Sequence, residues 1–144
     1  MANIMRSIST TYRACMLYRE QALAGTGLGP CQTPYLMTLY YNEGISQEAL
    51  SRKLNLHKST VARQLGALEK DGFVRREPDP DDHRQILVYP TKKARDLEEP
   101  LRHVLSSWSQ FLLEDFTKDE KNTVVQLMER IAAKASQSVK ERSL

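Results

Sequence analysis

Apolar residues recur at spacings of three or four in the opening segment, at Ile4, Ile8, Tyr12, Cys15, Tyr18 and Ala22. That period predicts an amphipathic helix ending near Gly25. The run GTGLGP from Gly25 to Pro30 then breaks regular structure. Thr33 reads as an N-cap with Pro34 in the first helical position, so a second, short helix is expected to about Asn42. Asn42, Glu43 and Gly44 would close it. Ser46 caps a third helix ending near Leu54, Asn55 follows, and Lys58 to Asp71 forms a fourth, stopped by Gly72. The period then drops to two. FVRRE and QILVYP are β-prone runs separated by the turn-rich PDPDDHR, which predicts a two-stranded hairpin with a polar tip. From Thr91 the helical period returns in Leu97, Leu101, Val104, Leu105, Trp108, Phe111 and Leu112. Pro100 is expected to kink this helix or mark a late start. Thr117 and Glu120 have the spacing of a capping box, and Val124, Leu127, Met128, Ile131, Ala135 and Val139 stripe the closing helix. The fold class is therefore mainly α with a small β-hairpin.

The third and fourth helices form a recognisable pair. Leu50 and Leu54 supply an inner face, Ser51 is small where the axes cross, and Asn55 tolerates positive φ at the turn. Leu56 is expected to plug that turn from inside, with Val61 and Leu65 burying the fourth helix. This is a helix-turn-helix, whose second helix enters a major groove by its N-terminal end. The outward set on that helix is Lys58, Ser59, Thr60, Arg63 and Gln64. Hydroxyls suit phosphate oxygens, Arg suits guanine and Gln suits adenine. A solvated polar helix face is the competing reading, and the hairpin weighs against it. A helix-turn-helix followed at once by a hairpin is a winged helix. Asp82, His83 and Arg84 occupy the wing tip, where an Arg can reach a narrow minor groove and a carboxylate, Asp82, can hold it in position. Arg52, Lys53, Arg75 and Arg76 are expected to supply backbone contacts or local ion pairs.

Charge sharpens this picture. The 144 residues carry a net +3. Between Ile45 and Arg95 there are eleven Lys or Arg against seven Asp or Glu, and elsewhere ten against eleven, so the positive excess belongs to the winged segment. No apolar run approaches the roughly 18 residues of a membrane span, and the N-terminus lacks a signal-peptide profile, so a cytoplasmic chain with no membrane partner is expected. Cys15 and Cys31 have neither metal-ligand spacing nor the density of a disulfide scaffold. His57, His83 and His103 are scattered, which leaves no candidate metal set. GTGLG looks like a nucleotide-binding loop but follows a helix and precedes Pro30, and no nucleophile or Walker motif occurs. Neither an enzyme nor a cofactor is expected. A winged helix used only for protein contacts stays open as an alternative.

The segments QEALSRKLNLHKSTVARQLGALEKDGFVRR and DPDDHRQILVYPT, with the D-x-R wing signature at Asp82, His83 and Arg84, resemble the MarR family of bacterial transcriptional regulators. The resemblance covers nearly the whole chain. It implies a winged helix-turn-helix DNA-binding lobe at residues 34–90 within a single chain of 1–144. Helical dimerisation regions would lie at 1–24 and 91–144. It further implies a homodimer on a pseudo-palindromic operator in double-stranded DNA, repression of nearby genes, and release by a small ligand or an oxidant. The apolar stripes of the terminal helices, longer than one small core could cover, agree with a dimer. They would set two recognition helices about 34 Å apart. By the same resemblance a small aromatic inducer would lodge among Tyr12, Tyr35, Tyr40 and Trp108, although aromatics at helical spacing also serve as plain core. One branch of the family senses peroxides through a cysteine in the first helix. Cys15 lies in that region, with Tyr35 and Tyr40 in the second helix, yet it also fits the apolar stripe as a small hydrophobe.

Overall fold

The computed structural model describes residues 3–142, with side chains for residues 3–140. Helix α1 spans Ile4–Ala22. It starts where the sequence leaves two backbone donors to be met: the Asn3 Oδ1 accepts from the N–H groups of Met5 and Arg6 at 3.1 and 3.2 Å. None of its residues is buried. Leu23 and Leu28, just beyond it, enter the core instead.

A 3₁₀ turn at Pro30–Gln32 leads into α2, Thr33–Tyr41. The expected cap is displaced by one residue. Thr33 is already helical, at φ −51° and ψ −48°, and the cap is Gln32, whose side chain makes no capping bond. The 3₁₀ turn delivers a backbone that is already wound, so a hydroxyl cap has nothing to satisfy. Pro34 still falls in the first turn, where its missing N–H costs nothing.

Strand β1 (Ile45–Ser46) precedes α3 (Gln47–Leu54) and α4 (Lys58–Lys70), and β2 (Val74–Pro78) and β3 (Ile86–Pro90) follow. The expected two-stranded hairpin is a three-stranded antiparallel sheet in the order β1-β3-β2. Ile45 pairs with Val88 and Ser46 with Leu87, while Val74 to Pro78 pair with Pro90 to Ile86. Gly44 makes the extra strand possible. Its φ is +80°, its N–H donates to the Val88 carbonyl at 2.9 Å, and a Cβ there would meet the Tyr89 ring at 3.1 Å.

The α3–α4 turn follows the sequence reading in its backbone. The Ser46 Oγ accepts from the Ala49 N–H at 3.1 Å, and Asn55 adopts φ 54°, the one positive φ among non-glycine residues described. The N–H groups of Asn55 and Leu56 donate to the carbonyls of Arg52 and Ser51 at 3.3 and 3.1 Å, which closes the helix as a Schellman motif. Leu56 departs from its expected place and is 42% exposed. The apolar partner that usually meets this residue across such a motif is absent, because the position is Ser51. The space inside is filled by Leu50, Val61 and Leu65, each fully buried.

Leu36, Leu39, Leu68, Phe73, Val88 and Leu101 complete the core around which α2, α3, α4 and the sheet assemble. Pro100 marks a late start: a short α5, Lys92–Asp96, ends at Leu97, and α6 runs Glu98–Leu112 with Pro100 in its first turn. Tyr18 of α1 stacks on Trp108 at 4.8 Å between centroids and donates to the Val104 carbonyl at 3.2 Å. The chain divides into two compact units, one ending at Trp108 and the other beginning at Ser109. The second unit holds α7, Lys118–Arg142, opened by the expected capping box, with Thr117 and Glu120 exchanging bonds of 2.8 and 3.3 Å. None of its described residues is buried. No described helix is long and apolar enough to cross a membrane.

Candidate nucleic-acid interface

Helix α4 begins without a side-chain cap: His57 occupies that position in extended backbone and makes no capping bond. No acidic residue lies in the first turn. Neither a side-chain cap nor a carboxylate of its own first turn offsets the positive dipole end of this helix. Val61, Leu65 and Leu68 turn inward and are fully buried, which fixes the helix's rotation. Lys58, Ser59 and Arg63 are exposed and Thr60 is half-buried beside them. Gln64, like Thr60, is half-buried, on the flank of α4, and its Oε1 accepts from Gln32 Nε2 at 3.4 Å.

The wing tip is built by local carboxylates. Asp79 Oδ1 accepts from the Asp81 N–H at 2.9 Å, and the Asp79 N–H donates to the Gln85 carbonyl at 2.9 Å. Asp82 Oδ1 accepts both from the Arg84 N–H at 3.2 Å and from Arg84 Nε at 3.1 Å. The bond from Arg84 holds the Asp82 carboxyl below its ordinary range. Arg84 remains 91% exposed while so tethered, so the guanidinium is aimed without being covered. His83 is exposed at the tip.

Helix start and wing meet across a cleft of about 120 Å³ lined by Gln47, Glu48, Lys58, Arg84, Gln85 and Ile86. Lys58 and Arg84, taken separately in the sequence, thus share one depression. Glu48 was missed by sequence reasoning. Its Oε1 lies 2.9 Å from Lys58 Nζ and 3.5 Å from Arg52, and the bond from Lys58 holds the Glu48 carboxyl low. No short-range spacing announces a pairing across the α3–α4 turn.

The remaining basic residues divide clearly. Arg76 braces the lobe, with its N–H and guanidinium donating to Glu69 at 3.1 Å and its Nη1 to Gln47 at 3.3 Å. Arg75 pairs with Glu77 and lies over the Tyr89 ring at 4.4 Å. Lys53 is exposed.

The four aromatic residues expected around an inducer occupy different environments within this chain. Tyr12 is 61% exposed, and Trp108 is committed to the Tyr18 stack. Tyr35 is 2% exposed in the core, its hydroxyl without a partner among the described residues, and burial pushes its phenol up. Tyr40 donates to the Ala94 carbonyl at 2.6 Å, and burial pushes its phenol to about 12. Cys15 is half-buried on α1 and Cys31 is exposed in the 3₁₀ turn.

The sequence model of the MarR family matches residues 30–86, the span from the 3₁₀ turn to the wing. An uncharacterized HTH-type transcriptional regulator of Bacillus subtilis, YybA, is 30% identical over 131 residues, covering 91% of this chain and 87% of that protein. A MarR transcriptional regulator from Methanosarcina mazei superposes with a TM-score of 0.87 at 31% identity, over 93% of this chain and 96% of the other. A putative MarR family regulator from Listeria monocytogenes complexed with 26mer DNA has the same fold, with a TM-score of 0.91 at 23% identity, over 99% and 95% of the two chains.

Proposed function

The chain belongs to the MarR family of transcriptional regulators, and from that premise we propose that it is a homodimeric repressor reading a pseudo-palindromic operator in double-stranded DNA. It is a regulator and not an enzyme. The observation that carries the reading is the cleft where the uncapped start of α4 meets the wing. There, Lys58 and Arg84 flank one concavity, with Ser59 and Arg63 exposed on the same helix. In this reading Lys58, Ser59, Thr60, Arg63 and Gln64 meet the major groove. Arg84, aimed by Asp82, meets the adjacent minor groove or backbone. The Listeria protein solved with a 26mer DNA supports the use of this fold on DNA.

Dimerisation rests on a second observation. Helix α1 buries none of its residues in the single chain, and Ile4, Met5 and Leu17 are exposed. Along α7, Val125, Leu127 and Met128 are each 47 or 48% exposed. Apolar faces of this length are covered by a second copy, in the arrangement that the family resemblance implies for residues 1–24 and 91–144. The same resemblance supplies repression of neighbouring genes and release by a small ligand, and a cytoplasmic location fits a regulator that acts on DNA. A peroxide-sensing variant of this reading would use Cys15, which is half-buried and so accessible in part.

The test is the double variant Arg63→Ala/Arg84→Ala. Retained dimer mass by light scattering with loss of duplex binding is the expected outcome. Unchanged duplex binding would place the function in protein contacts instead.

A further inference from the structure

Gln32 ends the 3₁₀ turn, is 9% exposed, and has both amide atoms committed. Its Oε1 accepts from the Gly29 N–H at 2.9 Å, and its own backbone N–H donates to the Gly29 carbonyl at 3.1 Å. Its Nε2 donates to the Oε1 of Gln64, on the flank of the recognition helix, at 3.4 Å. Amide orientation is decided by the hydrogen-bond network around it, and this network has a fixed end. A backbone N–H only donates, so the atom of Gln32 that faces Gly29 is its oxygen. Its nitrogen therefore faces Gln64, and only an oxygen of Gln64 can accept from it. Turning the Gln64 amide over would set two NH₂ groups against each other, with the buried one left unpaired. The 3.4 Å separation is long, but the direction of the bond does not depend on its strength. The Gln64 NH₂ is left as the outward group, with no hydrogen bond to protein among the described residues.

A freely turning glutamine reads adenine by offering its oxygen to N6 and its nitrogen to N7. Gln64 cannot, because its oxygen is held inward. We propose that Gln32 is a specificity-setting positioning residue that presets Gln64 as a donor-only reader. The base facing Gln64 in each half-site is then an acceptor, best met by guanine through N7 and O6, and not the adenine of the usual pairing. This rests on α4 reading DNA, and it assigns a role to a residue outside both the helix-turn-helix and the wing.

The test is base preference, measured by selection of duplexes from a random pool at pH 8 with the native chain, Gln32→Glu and Gln64→Glu. At that pH a new carboxylate is ionised and only accepts. In Gln32→Glu one oxygen keeps the Gly29 bond and the other accepts, so Gln64 turns over and presents its oxygen. Preference at one position per half-site should move by roughly tenfold toward a donating base, cytosine through N4 or adenine through N6. Gln64→Glu still accepts from Gln32 but has nothing to donate, so the acceptor preference should be lost at that same position. Folding of each variant is checked by circular dichroism, and Gln64→Glu decides the matter if Gln32→Glu does not fold. An unmoved motif, bound equally well or uniformly more weakly, would overturn the relay and leave Gln32 a structural residue. Failure of the native chain to enrich any motif would instead remove the DNA reading beneath it, an outcome distinct from a motif that is enriched but does not shift.

Discussion

Replacing Arg63 by alanine isolates base reading from every other role on the recognition helix. Arg63 is exposed on α4 and makes no ion pair or hydrogen bond to protein among the described residues. Lys58 differs, because it is held 2.9 Å from Glu48. Truncating Arg63 therefore leaves no charge stranded. Alanine is also the better helix former, so the stability of the free protein should change by no more than about 0.5 kcal/mol. All of the effect should appear on DNA. A bidentate Arg–guanine contact is worth ~1–3 kcal/mol of discrimination, roughly 5- to 150-fold in affinity for each half-site. A dimer carries two such contacts, so a duplex with one altered half-site should already show about half of the total free-energy loss. The assay is fluorescence anisotropy on an operator duplex and on a series with each base pair of one half-site replaced. The Arg63→Ala protein should bind more weakly and become indifferent to one base pair while keeping its preferences elsewhere. An equal loss on every duplex would make Arg63 a phosphate contact. No loss at all would refute its place in the interface.

Glu48→Gln releases Lys58 and Arg52 toward the duplex, so binding should tighten and the slope of log affinity against log salt should steepen by about one unit, checked by salt titration of anisotropy. Leu65 is fully buried on α4, and Leu65→Ala should destabilise the fold by about 2–5 kcal/mol, read as a lower urea midpoint with an unchanged slope. Tyr40 has a folded-state pKa raised from 10.0 to about 12 by burial, so the fold binds its neutral form more tightly. That contribution is complete below pH about 10 and is lost as pH rises toward about 12, so Tyr40→Phe should make the decline in urea melts across this range shallower, the remainder including the buried Tyr35.

Much of the site was legible where its causes are local. Asn55 is forced by a backbone that needs positive φ within a tight turn, and the Asp82–Arg84 tether joins residues two apart. The capping box at Thr117 and Glu120 is likewise contained in one turn. What escaped depends on distant partners. Strand β1 has two residues and no period of its own, and it exists because Val88 and Leu87 pass beside it. Leu56 has a core residue's composition but faces out, because three other side chains already fill the space within. The Gln32–Gln64 bond spans 32 residues and two elements, so neither glutamine announces it. Thr33 reads as a cap in the sequence because the 3₁₀ turn before it gives no apolar period to read.

The most direct test of the central claim is selection of bound duplexes from a random DNA pool, repeated at rising salt. An inverted repeat with half-sites about one helical turn apart, retained as salt rises, is the expected result and would establish both the recognition helix and the two-fold dimer. Retention that falls away with salt and enriches no sequence would contradict it, leaving a basic surface that attracts polyanions without reading them.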